Sequence, residues 1–162
     1  MTVKMVHPTL VEKLREQVGH ELSASHQYMA VATYFANLSL DGWAQLFFEQ
    51  SDEERGHARK IIDFLHDAGH TARYDQISAA SVTYDSALEV LETCLSWEKL
   101  VTKQFQDMAK LCMNEGDFTT FQFIQWFISE QVEEERKLQD LIALVSSGIN
   151  LFHAQALLPK EG

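Results

Sequence analysis

The chain has 162 residues, with 24 acidic against 13 basic side chains and a formal net charge of −11. That length suits one domain whose core needs no staples, and the charge favours cationic partners over nucleic acid, whose phosphates require clustered Lys and Arg. No apolar run approaches the ~20 residues that cross a bilayer, which argues against a membrane partner.

Only two prolines occur, Pro8 and Pro159, and the seven glycines fall mostly at expected helix ends, so an all-α chain is expected. Pro8 suits a first helical position, with His7 before it, and the first helix should run over about residues 8–37. Steps alternating by four and three put Leu14, Val18, Glu21, Ser25, Tyr28, Ala32 and Phe35 on one seam. The turn Ser39-Leu40-Asp41-Gly42 is short enough to force an antiparallel second helix, about 42–68, which Gly69 stops. Its seam is Trp43, Phe47, Gln50, Glu54, His57, Ile61, Phe64 and Ala68.

Residues 70–84 show no helical stripe; these 15 residues can extend about 50 Å at ~3.3 Å each, enough to run back along a ~40 Å helix as a crossover. Asp85 or Ser86 can cap a third helix over about 85–114, with Leu88, Leu91, Leu95, Glu98, Thr102, Phe105, Ala109 and Cys112 on its seam. Asn114-Glu115-Gly116-Asp117 turns the chain into a fourth helix, about 117–146, with Ile124, Phe127, Gln131, Glu134, Leu138, Leu141 and Val145 inward. A fifth helix of about three turns is expected over 149–158, before Pro159. Short loop, long crossover and short loop describe a four-helix bundle with one crossover.

Cys94 and Cys112 both fall on the third helix, roughly 27 Å apart at ~1.5 Å per residue, which forbids a disulfide and suits a reducing cytoplasm. Met1 to His7 shows neither a signal peptide nor a lipidation motif.

Glu21, Glu54, Glu98 and Glu134 thus occupy core positions near the middles of four helices. Carboxylates are almost never buried unless paired or bound to a cation, and leaving one buried charge unpaired costs ~3–5 kcal/mol. The seams carry no Arg or Lys to pair with them, so a metal is the expected partner. Glu54-x-x-His57 on one helical face is weak evidence alone, being more often a surface pair, but here it joins three further core acids. One imidazole among carboxylates suits iron or manganese, and neither cysteine is expected near the cluster. Di-iron bundles use Glu-x-x-His on two helices; here the fourth helix offers Gln131-x-x-Glu134, so two seats of unequal affinity are expected.

Over nearly its whole length the chain resembles the bacterial non-haem ferritins. The resemblance is carried by Glu21-Leu22 with Tyr28, by Glu53-Glu54-Arg55-Gly56-His57, by Trp97-Glu98-Lys99-Leu100, by Phe123 through Gln131 and by Glu133-Glu134-Glu135. It implies a ferritin-like four-helix bundle with a short fifth helix, a ferroxidase centre in each subunit, and a hollow homo-24-mer in the cytoplasm that stores and detoxifies iron. The implied reaction oxidises Fe2+ with O2 or hydrogen peroxide and deposits ferric oxyhydroxide inside the shell. Carried over by position, Glu21, Glu54 and His57 would hold the first iron, and Glu54, Glu98 and Glu134 the second, with Gln131 alongside. Glu53, Glu130 and Glu133, with Glu134, resemble a third iron site. Tyr28 resembles a family tyrosine that lies beside the iron pair and can donate an electron during oxygen reduction, and Trp126 a family position near it.

No haem is expected, because bacterioferritins typically place a haem-binding methionine after the bridging glutamate, where Arg55 stands here. Rival readings are a catalytically silent shell subunit and a di-iron oxidase without storage. The start of the fourth helix, Thr120, Phe121 and Ile124, lacks the acids that line three-fold channels of animal ferritins, which favours iron entry elsewhere.

Overall fold

A computed structural model describes residues 5–160. The expectation that Met1 to His7 carries no leader therefore falls partly outside the described residues. The elements are α1 (Pro8–Asn37), α2 (Asp41–Asp67), α3 (Ala87–Glu115), α4 (Phe118–Ser146) and a short α5 (Leu151–Ala154) that runs into a 3-10 turn (Gln155–Leu157). Among the described residues there is no strand, and no helix is long and apolar enough to cross a membrane.

Local chemistry explains the boundaries. The Ser86 hydroxyl, rather than Asp85, caps α3 by accepting from Glu89 N, and Glu89 Oε2 reaches back to accept from Asp85 N. Gly116 ends α3 at φ +67°, a left-handed conformation that costs glycine least. Asp117 then caps α4, accepting from Thr120 N at 2.9 Å and Thr120 Oγ1 at 2.7 Å, while its Oδ2 also accepts from His7 N at 2.9 Å. One buried carboxylate so ties the starts of α1 and α4 together. Asp117→Ala is expected to cost about 2 kcal/mol, the upper end for a lost cap, and to lower the melting temperature by roughly 4–8 °C in thermal denaturation.

The C-terminal segment differs from the expected three-turn helix over 149–158. Asn150 Oδ1 accepts from Phe152 N and His153 N, which starts the helix later, and extended Leu158 before Pro159 closes it earlier. What remains is one α-turn and one tighter turn. The start of α2 has no side-chain cap of its own; Gln155 Oε1 accepts from Gly42 N at 2.6 Å, and Trp43 Nε1 donates to Leu151 O at 3.0 Å. The C-terminal turn is therefore docked on the beginning of α2.

α1 packs chiefly on α2, and α3 on α4. The apolar interior is two blocks. One holds Val31, Phe35, Trp43, Phe47, Leu91 and Leu138, with the Phe35 ring stacked on Trp43 and Phe47 at centroid distances of 5.3 and 5.4 Å. The other holds Leu14, Val18, Ile61, Phe105, Ile124 and Phe127. Along α1 and α4 the chain passes from the second block to the first, and along α2 and α3 from the first to the second. α2 and α3 are consequently parallel, which is why residues 68–86 must travel the bundle's length between them. On all four helices the switch between blocks falls at the buried acids.

The seam of α3 is shifted from the expected one. Its buried residues include Leu91, Cys94, Glu98, Val101, Phe105, Met108 and Cys112, whereas Leu88, Leu95, Thr102 and Ala109 are only partly buried.

Candidate metal centre

Antiparallel pairing brings Glu21 from α1, Glu54 and His57 from α2, Glu98 from α3 and Glu134 from α4 to one level, all of them buried. Glu21, Glu54 and His57 offer ligand atoms within 4.8 Å of one another, and so do Glu54, Glu98 and Glu134. Glu54 belongs to both groups. His57 Nδ1 lies 3.0 Å from Glu54 Oε2 and 3.7 Å from Glu21 Oε2. Glu21 Oε2 is buried and accepts no hydrogen bond, the only such side-chain atom among the described residues.

Amides and hydroxyls hold the acids in place. Gln50 Nε2 donates to Glu54 Oε1 at 3.0 Å and to Glu134 Oε2 at 2.8 Å, and Gln50 Oε1 accepts from Lys137 Nζ at 2.8 Å. Tyr28 OH donates to Glu98 Oε1 at 2.7 Å, and Gln131 Nε2 donates to Glu98 Oε2 at 3.0 Å. Gln17 Nε2 donates to Glu21 Oε1 at 3.1 Å. Ser25 and Ser51 bond each other beside the cluster at 3.0 Å. Because Gln50 fixes the shared carboxylate and Glu134 together, Gln50→Leu is expected to weaken divalent-ion binding about 10- to 100-fold with assembly intact, measured by anaerobic titration.

The electrostatics show what this layer lacks. Burial and the neighbouring Glu54 push Glu98 up to about 7, and burial with the charges of Glu98 and Glu54 pushes Glu134 up to about 9. Burial also raises Glu54. For His57 burial favours the neutral ring, but the adjacent carboxylates of Glu21 and Glu54 outweigh it and raise the imidazole to about 11. The site holds protons tightly because no Lys or Arg nitrogen among the described residues pairs with any of these four acids; Lys137 instead meets Gln50 and, at 3.9 Å, Glu53. An orphaned carboxylate oxygen inside a ring of acids with raised affinity for positive charge fits a cation.

The remaining candidates are placed less uniformly. His57, Glu130 and Glu134 form a further group within 4.8 Å, with Glu130 half-buried. Glu53 is half-buried and Glu133 exposed, and neither joins any of the three groups. The Trp126 ring stands edge-on to His57 at 5.5 Å, with Lys60 Nζ 3.5 Å above its centroid. The expectation that both cysteines lie away from the cluster needs correction: the shift of the α3 seam buries Cys94 one turn before Glu98. Burial and the Glu98 charge raise its thiol well above the ordinary value, so it stays protonated and joins no ligand group.

Sequence reasoning passed over Gln17, Gln50 and Lys137 as parts of this layer. A signal was present: Gln17-x-x-x-Glu21 and Gln50-x-x-x-Glu54 repeat one spacing, which sets an amide one turn before each acid.

Residues 11–147 match the family described as a ferritin-like domain. A bacterial non-heme ferritin of Staphylococcus epidermidis is 41% identical over 131 residues, 81% of this chain and 79% of that protein. Among solved structures, an open pore ferritin from the archaeon Archaeoglobus fulgidus superposes with a TM-score of 0.84 at 30% identity, covering 87% of this chain and 86% of that one. A humanized archaeal ferritin superposes with a TM-score of 0.91 at 28% identity, covering 97% and 99%. With its four-helix bundle, its short fifth helix and its buried carboxylate layer, the chain belongs to the ferritin family.

Proposed function

We propose that this protein is an iron-storing ferritin whose subunit oxidises Fe2+ at a pair of adjacent seats. The observation that carries this reading is the sharing of Glu54 between two buried ligand groups, Glu21–Glu54–His57 and Glu54–Glu98–Glu134. Iron is the substrate here. One carboxylate common to two seats sets two ions close enough to be oxidised together by O2 or hydrogen peroxide. The second seat has only carboxylates, with Gln131 supporting Glu98, and hard anionic oxygens favour Fe3+ over Fe2+, which drives oxidation. The hydrogen bond from Tyr28 to Glu98 supports a role for Tyr28 in donating an electron to the oxygen reduced beside the second seat.

A third iron at Glu130 and Glu134 is supported by their grouping with His57, and Glu53 and Glu133 are the further acids that would serve it. The oxidised iron passes as ferric oxyhydroxide into the cavity of a self-assembled shell of 24 copies. Exposed apolar side chains such as Phe118, Val132 and Leu157 would be covered in such an assembly. Two free, buried cysteines are in keeping with a reducing cytoplasm.

The test is anaerobic addition of two Fe2+ per subunit to the metal-free assembly, followed by O2 in a stopped-flow spectrometer. A rapid diferric absorbance, then a soluble mineral inside a particle of uniform size on light scattering, is expected. Fe2+ oxidised no faster than in buffer sinks the oxidase reading, and oxidation without a retained mineral sinks storage.

A further inference from the structure

A cavity of about 140 Å³ lies between α1 and α3 on the approach to Glu21. A space of this size admits on the order of ten waters, enough for a hydrated metal ion. Glu16, His20 and Asp107 line its outer part, with His20 and Asp107 exposed. Its inner part is lined by Gln104 and by Gln17, which is 1% exposed.

Gln17 Nε2 donates to Gln104 Oε1 across the two helices and to Glu21 Oε1, each at 3.1 Å. One hydrogen-bonded amide pair therefore separates the cavity from Glu21, whose Oε2 is the orphaned atom of the metal layer. Among the described residues the acids at the outer part are paired only with exposed lysines, Lys13, which itself lines the cavity, to Glu16 at 3.2 Å and Lys103 to Asp107 at 2.5 Å, of the kind an arriving divalent ion displaces readily.

We propose that hydrated Fe2+ reaches the subunit's interior through this α1–α3 cleft, with the Gln17–Gln104 pair as its gate. Glu16, Asp107 and His20 collect the ion, the amide oxygens of Gln104 and Gln17 replace part of its water shell, and Glu21 Oε2 receives it. The chain's net charge of −11 raises the local concentration of cations that feed the cleft. The proposal rests on the reading of the buried layer as an iron site.

The test uses the metal-free assembly of the wild type, of Gln104→Leu and of the double variant Glu16→Ala/Asp107→Ala, with Arg59→Ala on α2 as a control away from the cleft. Anaerobic Co2+ uptake is followed by its absorbance in a stopped-flow instrument, and Fe2+ oxidation is measured across iron concentrations. Both cleft variants are expected to take up Co2+ at least tenfold more slowly with an unchanged Kd. For Fe2+, kcat/KM should fall by the same factor while kcat at saturation stays within twofold. General damage to the bundle would instead move kcat or Kd. If Gln104→Leu fails to assemble, Gln104→Asn is read in the same way. Uptake rates within twofold of wild type in the cleft variants overturn the passage while leaving the iron site standing. A wild type that takes up no Co2+ and oxidises no Fe2+ overturns both.

Discussion

Glu54→Gln is expected to make the metal-free protein more stable and its iron oxidation at least ~100-fold slower, since loss of a ligand's supporting partner alone costs 10- to 100-fold. The two effects have one origin. Glu54 is buried against other acids, and burial raises its proton affinity, so its charged form is disfavoured in the folded metal-free subunit, and glutamine keeps its shape without the charge. Gln50 can still donate to the remaining carbonyl oxygen. Relief of one uncompensated buried charge should be worth about 2 kcal/mol, or roughly 4–8 °C in melting temperature. In the presence of iron the order reverses, because the carboxylate shared by both seats is gone. Melting curves with and without Co2+, together with stopped-flow oxidation, check both halves. A variant that oxidises iron at the wild-type rate would remove Glu54 from the chemistry.

The metal-free assembly is expected to lose thermal stability as pH rises from about 5 to 9, and a divalent ion to restore it. Glu98 at about 7 and Glu134 at about 9 stand above the 4.5 of a free carboxyl, and His57 at about 11 stands above 6.5. In all three the folded state binds the proton more tightly than the unfolded chain. Their contribution is therefore complete below 4.5 for the carboxyls and 6.5 for the imidazole, and is lost as pH climbs through the folded values. Metal takes the place of those protons, so binding at neutral pH releases them. Co2+ at a hundred times its Kd at pH 6 should add about 2.7 kcal/mol there, or roughly 5–10 °C, and the same Co2+ concentration should add more at pH 8. Calorimetry at both pH values checks the slope, and Glu134→Gln should flatten it. A metal-free melting temperature that rises between pH 6 and 8 would contradict this account of the buried layer.

The bundle was legible in the sequence because its information is one-dimensional: stripe, turn, stripe. The helices α1 to α4 begin and end within two residues of the expected positions, and the level of the four acids follows from their places near the helix midpoints. Legibility fell where two neighbouring stripes are equally apolar. On α3, Leu91, Glu98, Phe105 and Cys112 belong to either seam, and only packing against the other helices chose Cys94, Val101 and Met108 over Leu95, Thr102 and Ala109. The fifth helix is shorter than its apolar run suggests because that run conceals Asn150, a cap that resets the helix inside it. Lys137 lies off the core stripe and reaches Gln50 by the length of its side chain, a contact between residues 87 positions apart that no local pattern encodes.

The acidic layer divides the oily interior into two compartments, each sealed by its own aromatic and aliphatic packing. Side chains at the waist can therefore change partners as cargo comes and goes while both ends stay clamped, like a hinge pin between two fixed plates. Amide hydrogen exchange near the centre of each long helix should accordingly be faster than in the packed blocks on either side, and cargo loading should slow it there alone.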